Sequence, residues 1–190
     1  SLDAYGLDDP NYSIEITEED GTVTTVSFGD STGTDYYVTV GDTGVVYTVA
    51  SSVLDDFKTE LSDLAQLDEY PSIGSGNLKK EVITENGTTT TYDSENEDQE
   101  EEIAAVAGGL GAVSLTTVAD YSVEDADLAG YGLDEASRIT VEAAYTKDDD
   151  EKTMKMYIGS EDGSGNRYVM LDGSKIVYQI SDEVCKNILN

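Results

Sequence analysis

The residues of this chain best able to do chemistry are its carboxylates. Asp148, Asp149, Asp150 and Glu151 stand in a row, and Asp162 opens the loop Asp162-Gly163-Ser164-Gly165-Asn166. Oxygen-rich loops of this kind can ligate calcium, a hard cation. An EF-hand loop needs an acid at its twelfth position, and counting from Asp162 that position is Gly173. Weak binding at a hairpin tip through Asp148, Asp149, Asp150 and Asp162 is therefore the most this set could supply. Two acids at a set separation can also hydrolyse a glycosidic bond. With 41 acids in the chain any one pair is uninformative, and Trp, the usual sugar-stacking platform, is absent.

The missing residue types exclude more than the acids suggest. With no His, catalysis by Ser-His-Asp or Cys-His and imidazole proton shuttles are unavailable, and so is nearly every catalytic zinc arrangement. Cys185 stands alone, so neither an internal disulfide nor a CxxC metal site can form. In "DEVCKNIL" it sits between Val184 and Ile188 at helical spacing and reads as a core thiol. The glycines of "IAAVAGGLGAV" match neither GxGxxG nor a GK[ST] loop, so tight helix packing is their expected use. No catalytic residue and no cofactor-binding residue is identified. A formal charge of −31 repels phosphate backbones and anionic lipid, which disfavours nucleic acid and bare membrane surfaces as partners.

What must position these residues is a repeat. "YGLD" occurs at Tyr5–Asp8 and again at Tyr131–Asp134, an offset of 126. Gly29 meets Gly159 at an offset of 130, while Tyr37 meets Tyr168, Tyr47 meets Tyr178 and Val53 meets Val184 at 131. The four extra residues of the second copy are assigned to a longer hairpin tip, "YTKDDDEKT". Each copy holds alternating or β-branched runs separated by Gly-containing turns, the mark of four strands. A helix then closes it. In the first copy Ser52 is the expected cap, and Val53, Leu54, Phe57, Leu61 and Leu64 form one apolar stripe. Upstream of the second copy, Ser122 caps a leading helix that Gly132 ends in the left-handed conformation. Tyr5, Gly6, Leu7 and Tyr131, Gly132, Leu133 are thus structural residues: a helix stop that launches a sheet.

Between the copies, residues 78–92 predict a hairpin around Asn86-Gly87, then a mobile acidic loop from Asp93 to Glu102. A helix with Ile103, Val106 and Leu110 on one face follows, and "AVSLTTV" can form a further strand. Asn11 and Asn86 head glycosylation sequons but read as turn residues. Tyr36, Tyr37, Tyr47, Tyr168 and Tyr178 either pack the sheet or line a recognition surface. The expected fold is α+β: two tandem copies of a four-stranded, mostly antiparallel β-unit, each closed by a helix, joined by a hairpin and a helix. The boundaries fall at 1–66 for the first repeat, 67–121 for the connecting region and 122–190 for the second repeat with its leading helix. Whether the copies share one sheet or form two lobes is open.

The "YGLDDP" of Tyr5–Pro10, the strands of "FGDSTGTDYYV" and the tail "VVYTVASSVLDDF" resemble the bacterial domain of unknown function 4340 family. The second copy departs from the first by having "YGLDEA" and no proline. The resemblance implies a domain that follows an N-terminal membrane anchor and faces the outside of the cytoplasmic membrane, in some cases beside gliding-type transport systems. It supplies no catalytic residues. A leader before Ser1, an export signal or an anchor, fits this, although a trimmed cytosolic chain would read the same. The resulting expectation is a membrane-tethered, extracytoplasmic, non-catalytic binding or scaffold module for a protein or cell-wall component. The alternatives are an accessory subunit of a gliding-type ABC transport system and a carboxylate-dependent enzyme acting on polysaccharide.

Overall fold

The computed structural model describes all residues, Ser1–Asn190, and divides into two compact units, Ser1–Leu64 and Ala65–Asn190. In the first unit a 3-10 turn at Leu2–Tyr5 leads into four strands: β1 (Tyr12–Thr17), β2 (Val23–Thr32), β3 (Asp35–Val40) and β4 (Tyr47–Ala50). They form a purely antiparallel sheet in the order β1-β2-β3-β4, as short connecting turns require. Opposite residues place Tyr12, Phe28, Val38 and Tyr47 on one face, with Ile14, Val26 and Val40 beside them. The short helix α1 (Ser51–Asp55) lays Leu54 on that face, and with Phe28 and Val38 it makes a small core. A four-residue helix, α2 (Leu61–Leu64), ends the unit.

The expected helix of the first copy is therefore cut short. It starts at Ser51 with no side-chain cap, so Ser52 lies within its first turn, and the stripe residues Val53, Phe57, Leu61 and Leu64 stay exposed. Helices of one or two turns are marginal unless a neighbour packs on them, and α1 has none beyond its own sheet.

In the second unit the closing helix has such a neighbour, a second helix. The strands of this unit are β5 (Leu78–Glu85), β6 (Thr88–Asp93), β7 (Val118–Asp120), β8 (Ile139–Lys147), β9 (Asp150–Glu161), β10 (Asn166–Leu171) and β11 (Val177–Ser181). They form one antiparallel sheet in the order β6-β5-β8-β9-β10-β11-β7. The repeat proper is β8-β9-β10-β11, so β5 and β6 are added on one side and β7 on the other. Helix α3 (Glu100–Gly111) packs against the closing helix α4 (Asp182–Leu189), where Gly109 lets α3 approach the α4 backbone at Ile188.

Residues 67–121 lie within the second compact unit. The hairpin, with Asn86 and Gly87 both at positive φ, pairs through β5 with β8 and becomes part of the second sheet. The acidic run is also more ordered than a mobile loop. Asn96 accepts a hydrogen bond from the Asp98 amide, and Gln99 bridges the Thr91 carbonyl and the Asp93 amide. Glu100, Glu101 and Glu102 form the first turn of α3, where the helix dipole favours negative charge.

The leading helix expected from Ser122 is a series of turns ending in a 3-10 turn, Leu128–Tyr131. Val123 donates its amide to the Lys175 carbonyl, which holds this stretch against the sheet instead of in a spiral. Gly132 nevertheless ends that turn with φ 65°, and Gly6 ends Leu2–Tyr5 with φ 66°.

Candidate interaction surface

Both YGLD copies build the same hook on the sheet face opposite the closing helix. Leu7 donates its amide to the Leu2 carbonyl and Leu133 to the Leu128 carbonyl, and both leucine side chains are buried. Tyr5 meets Tyr37 edge-on at 4.8 Å between ring centroids, and Tyr131 meets Tyr168 at 5.0 Å. The hook presses its tyrosine carbonyl onto a strand glycine, Gly29 in the first unit and Gly159 in the second. Asn11, read as a turn residue, donates its side-chain amide to the Gly29 carbonyl. This geometry explains the repeated motif without any ligand.

The calcium candidates are not brought together. No group of three or more Asp, Glu, Cys or His residues is arranged to hold a metal ion. Asp148 and Asp149 form the positive-φ tip of the β8–β9 hairpin. The Asp162 carboxylate accepts from the amides of Ser164 and Asn166 and from the side chains of Asn166 and Gln179. These donors, the Asn166 side chain first, hold its carboxyl below the usual range. Its oxygens are committed to shaping their own loop.

Cys185 is fully buried. Burial pushes its thiol up to about 11, with Asp182 adding to the effect and Arg167 opposing it. At pH 8 only about one thiol in a thousand would be thiolate, some hundredfold fewer than for a free cysteine. Iodoacetamide at pH 8 is expected to leave the folded chain unmodified over the time that labels it fully in urea. Equal labelling of both states, read by intact mass, would contradict the burial.

One buried acid escaped the sequence reading. Glu81 on β5 is 0% exposed, and neither carboxylate oxygen has a hydrogen-bond partner. Burial raises its carboxyl to about 8. The nearby Tyr70 hydroxyl is also buried without a partner, and burial followed by the Glu81 charge raises its pKa. The available signal was phase: Glu81 alternates with Ile83, whose side chain faces the core. A cleft beside Tyr70 and Tyr145 carries charges of both signs from Glu69, Lys147, Lys155 and Asp172. Glu81 itself is sealed from solvent and cannot touch a saccharide.

The surface feature that the repeat does not explain lies on the first unit. Every exposed large hydrophobic residue of the chain falls there: Tyr5, Tyr12, Ile16, Val23, Val40, Val45, Tyr47, Val53, Phe57, Leu61 and Leu64. Four of them, Tyr12, Ile16, Tyr47 and Phe57, correspond to Ile139, Ala143, Tyr178 and Ile188 of the second unit, which are buried. The β1–β2 register places Tyr12 opposite Phe28, as β8–β9 places Ile139 opposite Ile158, so Tyr12, Ile14 and Ile16 match Ile139, Val141 and Ala143. One of the four extra residues of the second copy therefore precedes β8, and three lengthen the hairpin. Tyr12 is 42% exposed against 4% for Ile139, Tyr47 52% against 0% for Tyr178, and Phe57 58% against 0% for Ile188. Of the five strand tyrosines, Tyr178 packs the core with its hydroxyl donating to Asp68, whereas Tyr47 faces solvent.

The fold and its surfaces define a tandem α+β repeat protein in which one repeat is covered and the other is bare. The family described as Domain of unknown function (DUF4340) matches residues 1–112 and 96–188, and the chain belongs to it, with two tandem copies. No curated protein and no solved structure matches the chain. The two matched segments overlap over 96–112, which contains α3.

Proposed function

We propose that this chain is a non-catalytic binding or scaffold module, extracytoplasmic and membrane-tethered, whose first unit docks a protein. The observation that carries the reading is the segregation of all exposed large hydrophobic residues to residues 1–64. Exposed apolar residues gathered on one unit favour a protein–protein contact. A cell-wall glycan would be met by polar groups and stacking rings, and this face offers mainly aliphatic side chains and scattered tyrosines. The family membership and the acidic surface support an extracytoplasmic placement. No helix is long and apolar enough to cross a membrane.

A photo-crosslinking residue at Phe57 or Tyr47, in cells making the native protein, is expected to give a discrete protein adduct. The same residue at Thr89, exposed on the second unit, should give none. An adduct that proves to be a transporter subunit would select the accessory-subunit form of this reading. Absence of adducts from both first-unit positions, or clear turnover of a polysaccharide by the purified chain, would overturn it. Labelling of intact cells by a membrane-impermeant amine reagent tests the placement, and protection until lysis would refute it.

A further inference from the structure

The second repeat shows what covers a repeat of this design. Its strand β8 is paired on the outer side by β5, and β11 is paired on the outer side by β7. Its closing helix is roofed by α3, which buries Val106, Ala107 and Leu110. All of this cover comes from residues 65–120, which precede the repeat. In the first unit the corresponding strands β1 and β4 are sheet edges, and α1 carries no roofing helix. β1 pairs with β2 without a bulge and contains neither Lys nor Pro. Of the usual devices that keep an edge strand from accepting another strand it has a single charge, Glu15.

We propose, resting on the binding-module reading above, that the first unit binds a partner protein through strand addition combined with helix docking. The partner contributes a strand antiparallel to β1, as β5 lies against β8. It follows with an amphipathic helix seated over Leu54 and Phe57, as α3 lies over Cys185 and Ile188. Main-chain hydrogen bonds to β1 supply register, and the apolar positions Tyr12, Ile16, Val40, Tyr47 and Phe57 supply affinity and choice of side chain. The charge of the first unit limits what this partner can be. Residues 1–64 hold 14 acids and a single base, Lys58. A second copy of this chain would bring the same excess of negative charge to the contact. The complementary partner flanks its strand and helix with Lys and Arg.

The chain's own cover provides the probe. A peptide with the sequence of residues 78–111, in which Asp93, Glu95, Glu97 and Asp98 are replaced by lysine, would be titrated into the full chain. It is expected to bind saturably, at least tenfold tighter than the unaltered acidic peptide. Hydrogen exchange should slow at Tyr12–Thr17 and Ser51–Phe57. Phe57→Asp and Ile16→Lys alter exposed side chains, so the fold should survive both, and each should weaken binding at least tenfold. N-methylating alternate residues of the peptide strand should abolish the protection of β1.

Binding that leaves β1 amides unprotected would overturn strand addition while the wider protein-binding reading stood on its crosslinks. Protection at β8 and α4 instead would show exchange into the second unit and overturn the proposal. Self-association of the chain alone, broken by Ile16→Lys in sedimentation, would assign the face to a second copy. No binding together with intact crosslinks at Phe57 would also reject this mode while sparing that reading.

Discussion

Replacing Glu81 by methionine is expected to stabilise the second unit by about 3 kcal/mol more at pH 7 than at pH 4. Glu81 lies on β5 between Tyr92 and Ala143, on the face that carries Ile83 and Val141, with both oxygens unpartnered. In the folded chain the carboxyl holds its proton up to about 8, whereas its ordinary value is 4.5. Below 4.5 both folded and unfolded chains are protonated, and the group costs nothing through ionisation. Above 4.5 the unfolded chain releases the proton and the folded chain keeps it. Stability then falls by about 1.4 kcal/mol per pH unit until the folded carboxyl ionises near 8, and changes little beyond.

The measurement is the difference in unfolding free energy between Glu81→Met and the natural chain, followed by exchange of core amides such as those of Val141 and Ile158. Other acids titrate in both proteins and cancel. The difference should be smallest at pH 4, grow from pH 5 and level off above 8. A difference that stayed constant with pH would mean that the buried carboxyl does not change its proton uptake on folding. Methionine suits the site because it is apolar, unbranched and adaptable, whereas glutamine would keep a buried amide in need of partners.

Gly159→Ala is expected to cost about 3 kcal/mol, at the upper end for one added methyl in a packed site. A Cβ there would run into the Tyr131 carbonyl and crowd the Leu133 side chain. The strand cannot slide away, because the Gly159 carbonyl accepts two hydrogen bonds from the Arg167 guanidinium. The hook cannot lift cheaply either: Leu133 is fully buried, and the Tyr131 hydroxyl donates to Asp120. Gly29→Ala should act the same way on the first unit through the Tyr5 carbonyl. Gly130→Ala, one residue before the hook, meets nothing within 4 Å and should be neutral or slightly stabilising. Thermal unfolding of the three variants decides the matter. A Gly159→Ala chain that melts with the natural one would mean that the hook is not clamped on the strand.

The hook was legible because its requirements are local. A glycine at positive φ and a leucine whose amide bonds the carbonyl five residues back leave residue types in fixed order, and the strand glycine recurs with them. The β5–β6 hairpin was legible for the same reason, through Asn86-Gly87. The helix expected from Ser122 failed because a single amide, that of Val123, found a carbonyl on a distant segment. The calcium candidates were legible only as a list of acids: the fold does not group them, and the Asp162 oxygens accept from donors in their own loop and from Gln179 on β11. Glu81 went unnoticed because a carboxylate in a strand is ordinarily a solvent-facing residue, and only its phase with Ile83 said otherwise.

By itself the sequence determined the unit: four strands, a closing helix and a YGLD stop ended by a left-handed glycine, written twice. Only the tertiary structure decided which copy is finished. Tyr47 and Tyr178 are the same residue at the same repeat position, yet one faces solvent and the other is buried with its hydroxyl bonded to Asp68. Burial is set by the segment that arrives from elsewhere, here residues 65–120. No local pattern of polar and apolar residues records whether such a segment has come.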